Sequence, residues 1–190
     1  MNKKDIYFYD SVKLEVQRFP AEGYVLDIGG GGEGVIGRLE GLLVIAIDCR
    51  KDELAEAPEG PLKILMDAKD LKFLDASFGA VTAFFSFMYF DEEADLKAAL
   101  SEAFRVLKAG GCLHVWDVDI AALPATDKPL FALPLKYIVN GIVFEAAYGR
   151  PWPTQTRDSG YYRTLAEAAG FLHFNTDFCG QTFYSTFRKQ

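Results

Sequence analysis

The chain has 190 residues, half of them hydrophobic and 14% aromatic, which suffices for one substantial core and is too little for two ordinary domains. Its net charge of −7 and pI near 4.9 disfavour phosphate backbones and anionic membrane surfaces, so neither nucleic acid nor a membrane is expected as a partner. No apolar run is long enough to span a bilayer.

In chain order, Met1–Asp5 and the residues after it are too short and too polar for a secretory leader. Ile6, Tyr9, Val12, Val16 and Phe19 fit one helical face, which predicts a lid-like helix over residues 5–19, carrying Tyr7 and Tyr9 and ended by Pro20 and Gly23. Val25, Leu26 and Ile28 read as a strand buried on both faces, interrupted by Asp27. Gly29 to Gly32 remove every β-carbon from the turn that follows, so a ligand can approach the main chain closely; Gly34 to Leu39 continue as a short helix. Glycine-rich turns also close ordinary loops, so this turn alone decides nothing. A second apolar run, Leu42 to Ile47, ends in Asp48, about twenty residues after Asp27, the separation expected of a carboxylate that reaches ribose hydroxyls in a mononucleotide-binding βαβ unit.

Arg50 to Pro61 reads as a short surface helix and loop, and Leu62 to Met66 as a third strand before Asp67-Ala68. Lys69 to Phe78 connects to a strand over Ala80–Phe90. The clearest helix runs from Asp91 to Lys108: Leu96, Leu100, Ala103, Phe104 and Leu107 form one stripe, with acids at its start and Arg105 and Lys108 near its end. Gly110-Gly111 closes it and Cys112 to Val118 forms the next strand, ending in Asp117 and Asp119. Strand–helix alternation is lost over 121–158, an apolar and aromatic stretch read as a compact insertion over the carboxyl edge of the sheet. A short helix over Thr164–Ala169 and two strands, Phe171–Phe178 and Gln181–Phe187, expected to pair antiparallel, complete a single unit over 1–190. Cys49, Cys112 and Cys179 are widely separated, which fits free thiols in a reducing cytoplasm, and neither they nor His114 and His173 have metal-ligand spacing, so no metal site is expected.

Taken together, several segments resemble class I S-adenosylmethionine-dependent methyltransferases, of the small "type 11"-like kind. The first motif is similar to Val25-Leu26-Asp27-Ile28-Gly29-Gly30-Gly31, the ribose acid to Asp48, and the adenine-side motif to Met66-Asp67-Ala68. Phe73-Leu74-Asp75-Ala76-Ser77-Phe78-Gly79 resembles the family's Phe-x-Asp-x-Ser-Phe-Asp segment, Arg105 to Gly111 its Arg-Val-Leu-Lys-Pro-Gly-Gly turn, and Leu165 to Phe171 its final helix and turn. Gly79 departs from the usual acid, Ala109 from the usual proline, the glycine loop is one residue longer than the commonest form, and Ser86 to Phe90 replaces an often polar or histidine-bearing segment. The resemblance implies an α/β, Rossmann-like three-layer sandwich with a seven-stranded, mostly parallel sheet and an antiparallel C-terminal strand. It implies S-adenosylmethionine as cofactor, S-adenosylhomocysteine as product, and Asp27, Gly29, Gly31, Asp48, Cys49, Met66, Asp67, Ala68 and Ser86 as cofactor-binding residues, with Met66 and Leu71 flanking the adenine.

Charge points the same way. A dinucleotide would place its pyrophosphate at the helix start, yet Glu33 sits there, and Asp27, Asp48, Asp67, Asp117 and Asp119 lie at strand ends on the same rim. Carboxylates crowded there favour a sulfonium-bearing adenosyl ligand over NAD. Tyr89, Asp117 and Tyr161, and with them Glu145 and Tyr162, are the candidates for a catalytic base; each also has a structural reading as a packed aromatic or a solvated acid. The expected activity is methyl transfer to a small, partly hydrophobic organic acceptor held under residues 129–152, without nucleic-acid partners. The alternatives are a non-catalytic module that binds S-adenosylmethionine or S-adenosylhomocysteine, and an NAD oxidoreductase.

Overall fold

The computed structural model describes residues 3–190; Met1 and Asn2, part of the start read above, lie outside the described residues. In chain order the elements are β1 (Ile6–Phe8), β2 (Val12–Glu15), β3 (Val25–Ile28), α1 (Val35–Glu40), β4 (Val44–Asp48), α2 (Lys51–Glu56), β5 (Leu62–Leu65) and β6 (Phe78–Phe84). They continue with α3 (Glu93–Val106), β7 (Leu107–Val118), β8 (Leu130–Val139), β9 (Ile142–Pro151), α4 (Ser159–Ala168), β10 (Leu172–Cys179) and β11 (Thr182–Arg188).

A seven-stranded sheet in the order β10-β11-β7-β6-β3-β4-β5 forms the middle layer. Strands β3 to β7 pair parallel, and β11 runs antiparallel to both β7 and β10. The parallel part is apolar because both its faces are covered: every residue of β6 is buried. One face packs against α3, through Leu96, Leu100 and Ala103, and against α4, through Tyr162, Leu165 and Ala166. α3 presents these at helical spacing, carries Glu93 and Asp95 in its first turn and Arg105 in its last, and passes directly into β7. Arg105 also ties the segment before β6, with Nη1 2.7 Å from Asp75 and Nη2 donating to the Leu71 carbonyl at 2.9 Å. Leu71 is buried in this core.

The other face is covered by α1 and, in place of further helices, by a second sheet in which β8 lies between β1 and β2 on one side and β9 on the other. The helix expected over residues 5–19 is therefore corrected to two short strands, β1 and β2, each parallel to β8. The segment Val12-Lys13-Leu14-Glu15-Val16 alternates apolar and polar residues, and pairing buries Val12 and Val16 while Lys13 and Glu15 stay exposed. The register steps from Phe8↔Ala132 to Val12↔Leu135, so the turn between β1 and β2 holds one extra residue.

The stretch 121–158 contains a regular β-hairpin, β8–β9, in full register from Leu130↔Pro151 to Val139↔Ile142. Its two-residue turn is Asn140-Gly141, with φ of 50° and 79°, the type I′ geometry that matches strand twist. Phe131, Leu133, Leu135, Tyr137 and Val139 alternate inward along β8 onto Phe84, Trp116 and Ile36. No helix among the described residues is long and apolar enough to cross a membrane.

Candidate active site

The carboxyl ends of β3, β4, β5 and β6 open into one cavity of about 710 Å³, roofed by residues 147–149 of β9. Asp27, Gly29, Gly31, Asp48, Cys49, Met66, Asp67, Ala68 and Ser86 all line it, as does Tyr89.

The glycine loop is tightly held. Gly29 has φ +72°, and a β-carbon there would lie 2.4 Å from that of Ser86, whose hydroxyl donates to the Ile28 carbonyl at 2.7 Å. A β-carbon on Gly31 would lie 2.5 Å from that of Glu53 and 2.8 Å from an Asp48 carboxylate oxygen. Four of the loop amides are spent within the protein: Gly29 and Gly30 donate to the Ile47 carbonyl at 2.8 and 3.0 Å, Gly32 to Glu53 at 2.8 Å and Gly34 to Gly31 at 3.1 Å. A phosphate would find these donors taken and the backbone surface rimmed by acids.

Asp27 is buried and accepts the Thr82 hydroxyl at 2.7 Å. Burial raises its pKa to about 7, opposed by that hydrogen bond and reinforced by the charge of Asp48. Asp48 accepts a single backbone bond, from Arg50 at 2.9 Å, and keeps the rest of its carboxylate toward the cavity. Asp67 accepts the Lys69 amide at 2.9 Å, while the Lys69 ammonium prefers Asp95, 2.8 Å away, to Asp67 at 3.8 Å.

The suggested bases separate. Tyr89 stands half exposed in the cavity wall. Asp117 is outside the lining: it is wholly buried, accepts the Met88 and Val118 amides at 2.9 and 2.8 Å, and so anchors the 87–89 turn that carries Tyr89. Tyr161, on α4 beneath the Arg157 guanidinium, and Tyr162, buried in the core, are also outside it. Glu145 pairs with Lys136 at 2.8 Å on the outer face of the hairpin. Asp119 caps the start of α4, accepting the Ser159 amide at 2.9 Å. His114 lies in β7, its Nδ1 2.8 Å from the Tyr184 hydroxyl and its ring stacked on Phe19; burial lowers its pKa to about 4, so it is neutral.

Sequence reasoning missed three groups that shape this cavity. Arg157, 4% exposed, donates to the Asp91 carbonyl at 2.9 Å and also to that of Phe90. Arg150 donates to the Met88 carbonyl and pairs with Asp91 at 2.5 Å, so two arginines from the covering region hold residues 88–91 in place. Phe85 has φ +50°, unusual for a bulky residue, and stacks on Tyr148 with ring centroids 4.8 Å apart. The arginines were visible as cations within an otherwise apolar stretch; the Phe85 conformation left no mark in the sequence.

Residues 26–115 match the family described as a methyltransferase domain. Over this segment, just under half of its length, the chain is similar to the class I S-adenosylmethionine-dependent methyltransferases. Among solved structures, it superposes on such a methyltransferase from Clostridium acetobutylicum at 13% identity, covering 88% of this chain and 84% of that one, with a TM-score of 0.62. The methyltransferases from Methanosarcina mazei and Mesorhizobium loti are 17% and 16% identical, each with 90% of this chain and 94% of the other covered and a TM-score of 0.62. At these identities the likeness is one of fold. No curated protein matches the chain at a significant level. The family match ends at Val115, so the β8–β9 hairpin of this methyltransferase lies beyond it. S-adenosylmethionine, the cofactor of the family, fits the site on its own chemistry: carboxylates with free acceptor positions, a backbone surface that a β-carbon would fill, and a rim of acids that disfavours phosphate.

Proposed function

We propose that this enzyme transfers a methyl group from S-adenosylmethionine to a small, partly hydrophobic organic acceptor held beneath the β8–β9 hairpin. The observation that carries this reading is the polarity of this cavity. Asp48, Met66 and Asp67 line one part of it, and Phe84, Phe85, Tyr89 and Tyr148 another, with the glycine loop between. In this reading Asp48 accepts the ribose hydroxyls, Asp67 the adenine amino group, and Met66 packs on the ring. Gly29 and Gly31 bring the main chain against the methionine portion, which Asp27 orients, and Cys49, Ala68 and Ser86 complete the wall. The cofactor supplies an electrophilic methyl group on a sulfonium. The chain's own contribution is positioning: it aligns the acceptor with that methyl and excludes water by means of the hairpin. The single unit over 1–190 thus has 121–158 as its acceptor cover.

Calorimetry with S-adenosylmethionine, followed by labelled-methyl transfer to a panel of small aromatic and aliphatic acceptors, tests this. Binding with transfer to at least one acceptor is expected. Binding with transfer to none across the panel would favour the non-catalytic module, and binding of NAD in place of S-adenosylmethionine the oxidoreductase.

A pH dependence follows from Asp27. A sulfonium nearby favours the ionised carboxylate, so Asp27, with a pKa of about 7 in the free protein, is expected to release its proton when the cofactor binds. The affinity then rises about tenfold from pH 6 to pH 8 and levels off above. The protons released, read from calorimetry in buffers of different ionisation enthalpy, should vanish in Asp27→Asn.

A further inference from the structure

Among the carboxylates on the cavity wall, Asp27, Glu33 and Asp48 have no ion pair among the described residues, and of these only Glu33 has no part in the cofactor site proposed above. Glu53 pairs with Arg50 at 3.1 Å, Asp95 with Lys69 at 2.8 Å and Asp91 with Arg150 at 2.5 Å. Glu33, at the end of the glycine loop, has no ion pair among the described residues. Arg38 does not provide one: its Nε donates to the Glu33 carbonyl at 2.8 Å and its guanidinium lies 4.5 Å over the Phe144 ring. The Glu33 side chain accepts instead from the Tyr148 hydroxyl at 3.2 Å.

That hydroxyl stays protonated. Burial first, and then the charge of Glu33, push the Tyr148 pKa well above the ordinary tyrosine range, and the same two causes raise that of Tyr137. Tyr148 is stacked on Phe85 and meets Phe84 edge-on at 6.2 Å, with Tyr89 in the same wall. A half-buried carboxylate framed by aromatic rings is a setting for a cation, which gains from the charge and from the ring faces together.

We propose that the methyl acceptor is a small amine, bound as its ammonium ion between Glu33 and the Phe85, Tyr89 and Tyr148 rings, and that Glu33 takes the proton that frees its lone pair. This rests on the function proposed above and narrows its substrate class. An alkylammonium ion has no lone pair to give, and its ordinary pKa is near that of lysine, about 10.4. The positive charge of the bound methyl donor lowers it, and Glu33 is the acceptor at hand. The proton passes to Glu33 and on to water. The nitrogen pair then forms the bond to the methyl carbon, the carbon–sulfur bond breaks, and its electron pair stays on sulfur as the neutral thioether. One ammonium and one sulfonium thus give one N-methylammonium, one thioether and one proton. An alcohol of the same shape would leave the carboxylate unpaired, which makes the site selective for the amine.

The test is calorimetric titration of the enzyme, saturated with S-adenosylhomocysteine, with 2-phenylethylamine and with 2-phenylethanol. The amine is expected to bind at least about tenfold more tightly, and Glu33→Gln to abolish that preference while holding S-adenosylmethionine within about threefold of the native affinity. Equal affinities for amine and alcohol in the native enzyme overturn the proposal. So does a preference that survives in Glu33→Gln, or a large loss of S-adenosylmethionine affinity in that variant, which would assign the carboxylate to the cofactor's own ammonium. If Glu33→Gln fails to fold, Tyr148→Phe decides: it keeps the carboxylate and removes its internal donor, so retained amine preference supports the proposal and lost preference overturns it. A native enzyme that binds no S-adenosylmethionine overturns the functional reading and this one with it, whereas intact cofactor binding without amine preference overturns this one alone.

Discussion

Replacing Asp48 by alanine is expected to weaken S-adenosylmethionine binding on the order of 100-fold while leaving the fold intact. In the proposed site its carboxylate receives two ribose hydroxyls, and hydrogen bonds to a charged group contribute about 1.5–3 kcal/mol each when lost from a closed site. Among the described residues its only side-chain hydrogen bond is the one it accepts from the Arg50 amide. Its charge also works against its neighbours, raising the pKa values of Asp27, Cys49 and Glu53 after burial. Removing it relieves that repulsion, so the melting temperature should stay within a few degrees of the parent or rise. Asp48→Asn, which keeps a neutral acceptor, should fall between the two in affinity. An unchanged affinity in Asp48→Ala would refute the placement of the nucleoside.

Gly79→Ala is expected to have the opposite profile, a large loss of stability with the cofactor affinity of the folded fraction preserved. A β-carbon at position 79 would lie 2.5 Å from both the amide nitrogen and the carbonyl oxygen of Glu22 and 2.7 Å from its carbonyl carbon. These are backbone atoms, fixed by the Gly79 amide donating to Tyr24 at 3.0 Å and by Lys108 reaching the Glu22 carbonyl at 3.0 Å. Either the entry into β3 or the start of β6 must move, at a cost of about 3 kcal/mol for overpacking, which lowers Tm by roughly 6–12 °C in a domain of this size. Gly79→Asp, which restores the acid that the family usually carries, should be worse than alanine. The departure from the family pattern therefore has a local cause: here the chain approaching β3 lies directly on the second residue of β6. Thermal melts of the two variants check this, and unaltered melting temperatures would refute it.

What could be read from the residues was what depends on local order. The buried strands β3, β4 and β6 announce themselves as apolar runs, and acids at or just beyond the ends of β3, β4 and β5, namely Asp27, Asp48 and Asp67, mark the rim where the cavity opens. α3 has a stripe, acidic first turn and basic last turn that agree with one another. The N-terminal strands are different. Residues 5–19 carry apolar positions at helical spacing and, within 12–16, at strand spacing too, and the choice is made by β8, more than a hundred residues away. The hairpin did carry a local mark, Asn140-Gly141 between apolar runs, which composition alone, prolines and aromatics together, obscured. Glu33 and Tyr148 could not be joined from sequence, because 115 residues separate them and only the folding of β9 over the glycine loop brings them together. Asp117 shows the converse: a strand-end acid beside the rim turns inward and serves the backbone.

The second sheet has a consequence for how such a protein can change. Its strands come from before and after the family-matched segment, whereas the acids assigned to the adenosyl group lie within it. The roof proposed over the acceptor and the machinery beneath it are thus separate stretches of chain, joined through the core around Phe84, Trp116 and Ile36 and by polar contacts such as Tyr148 on Glu33 and Arg150 on Asp91. Substitutions in the roof can retune which molecule is methylated without disturbing the donor. Such enzymes can then diversify in substrates while the donor site stays under its own constraints.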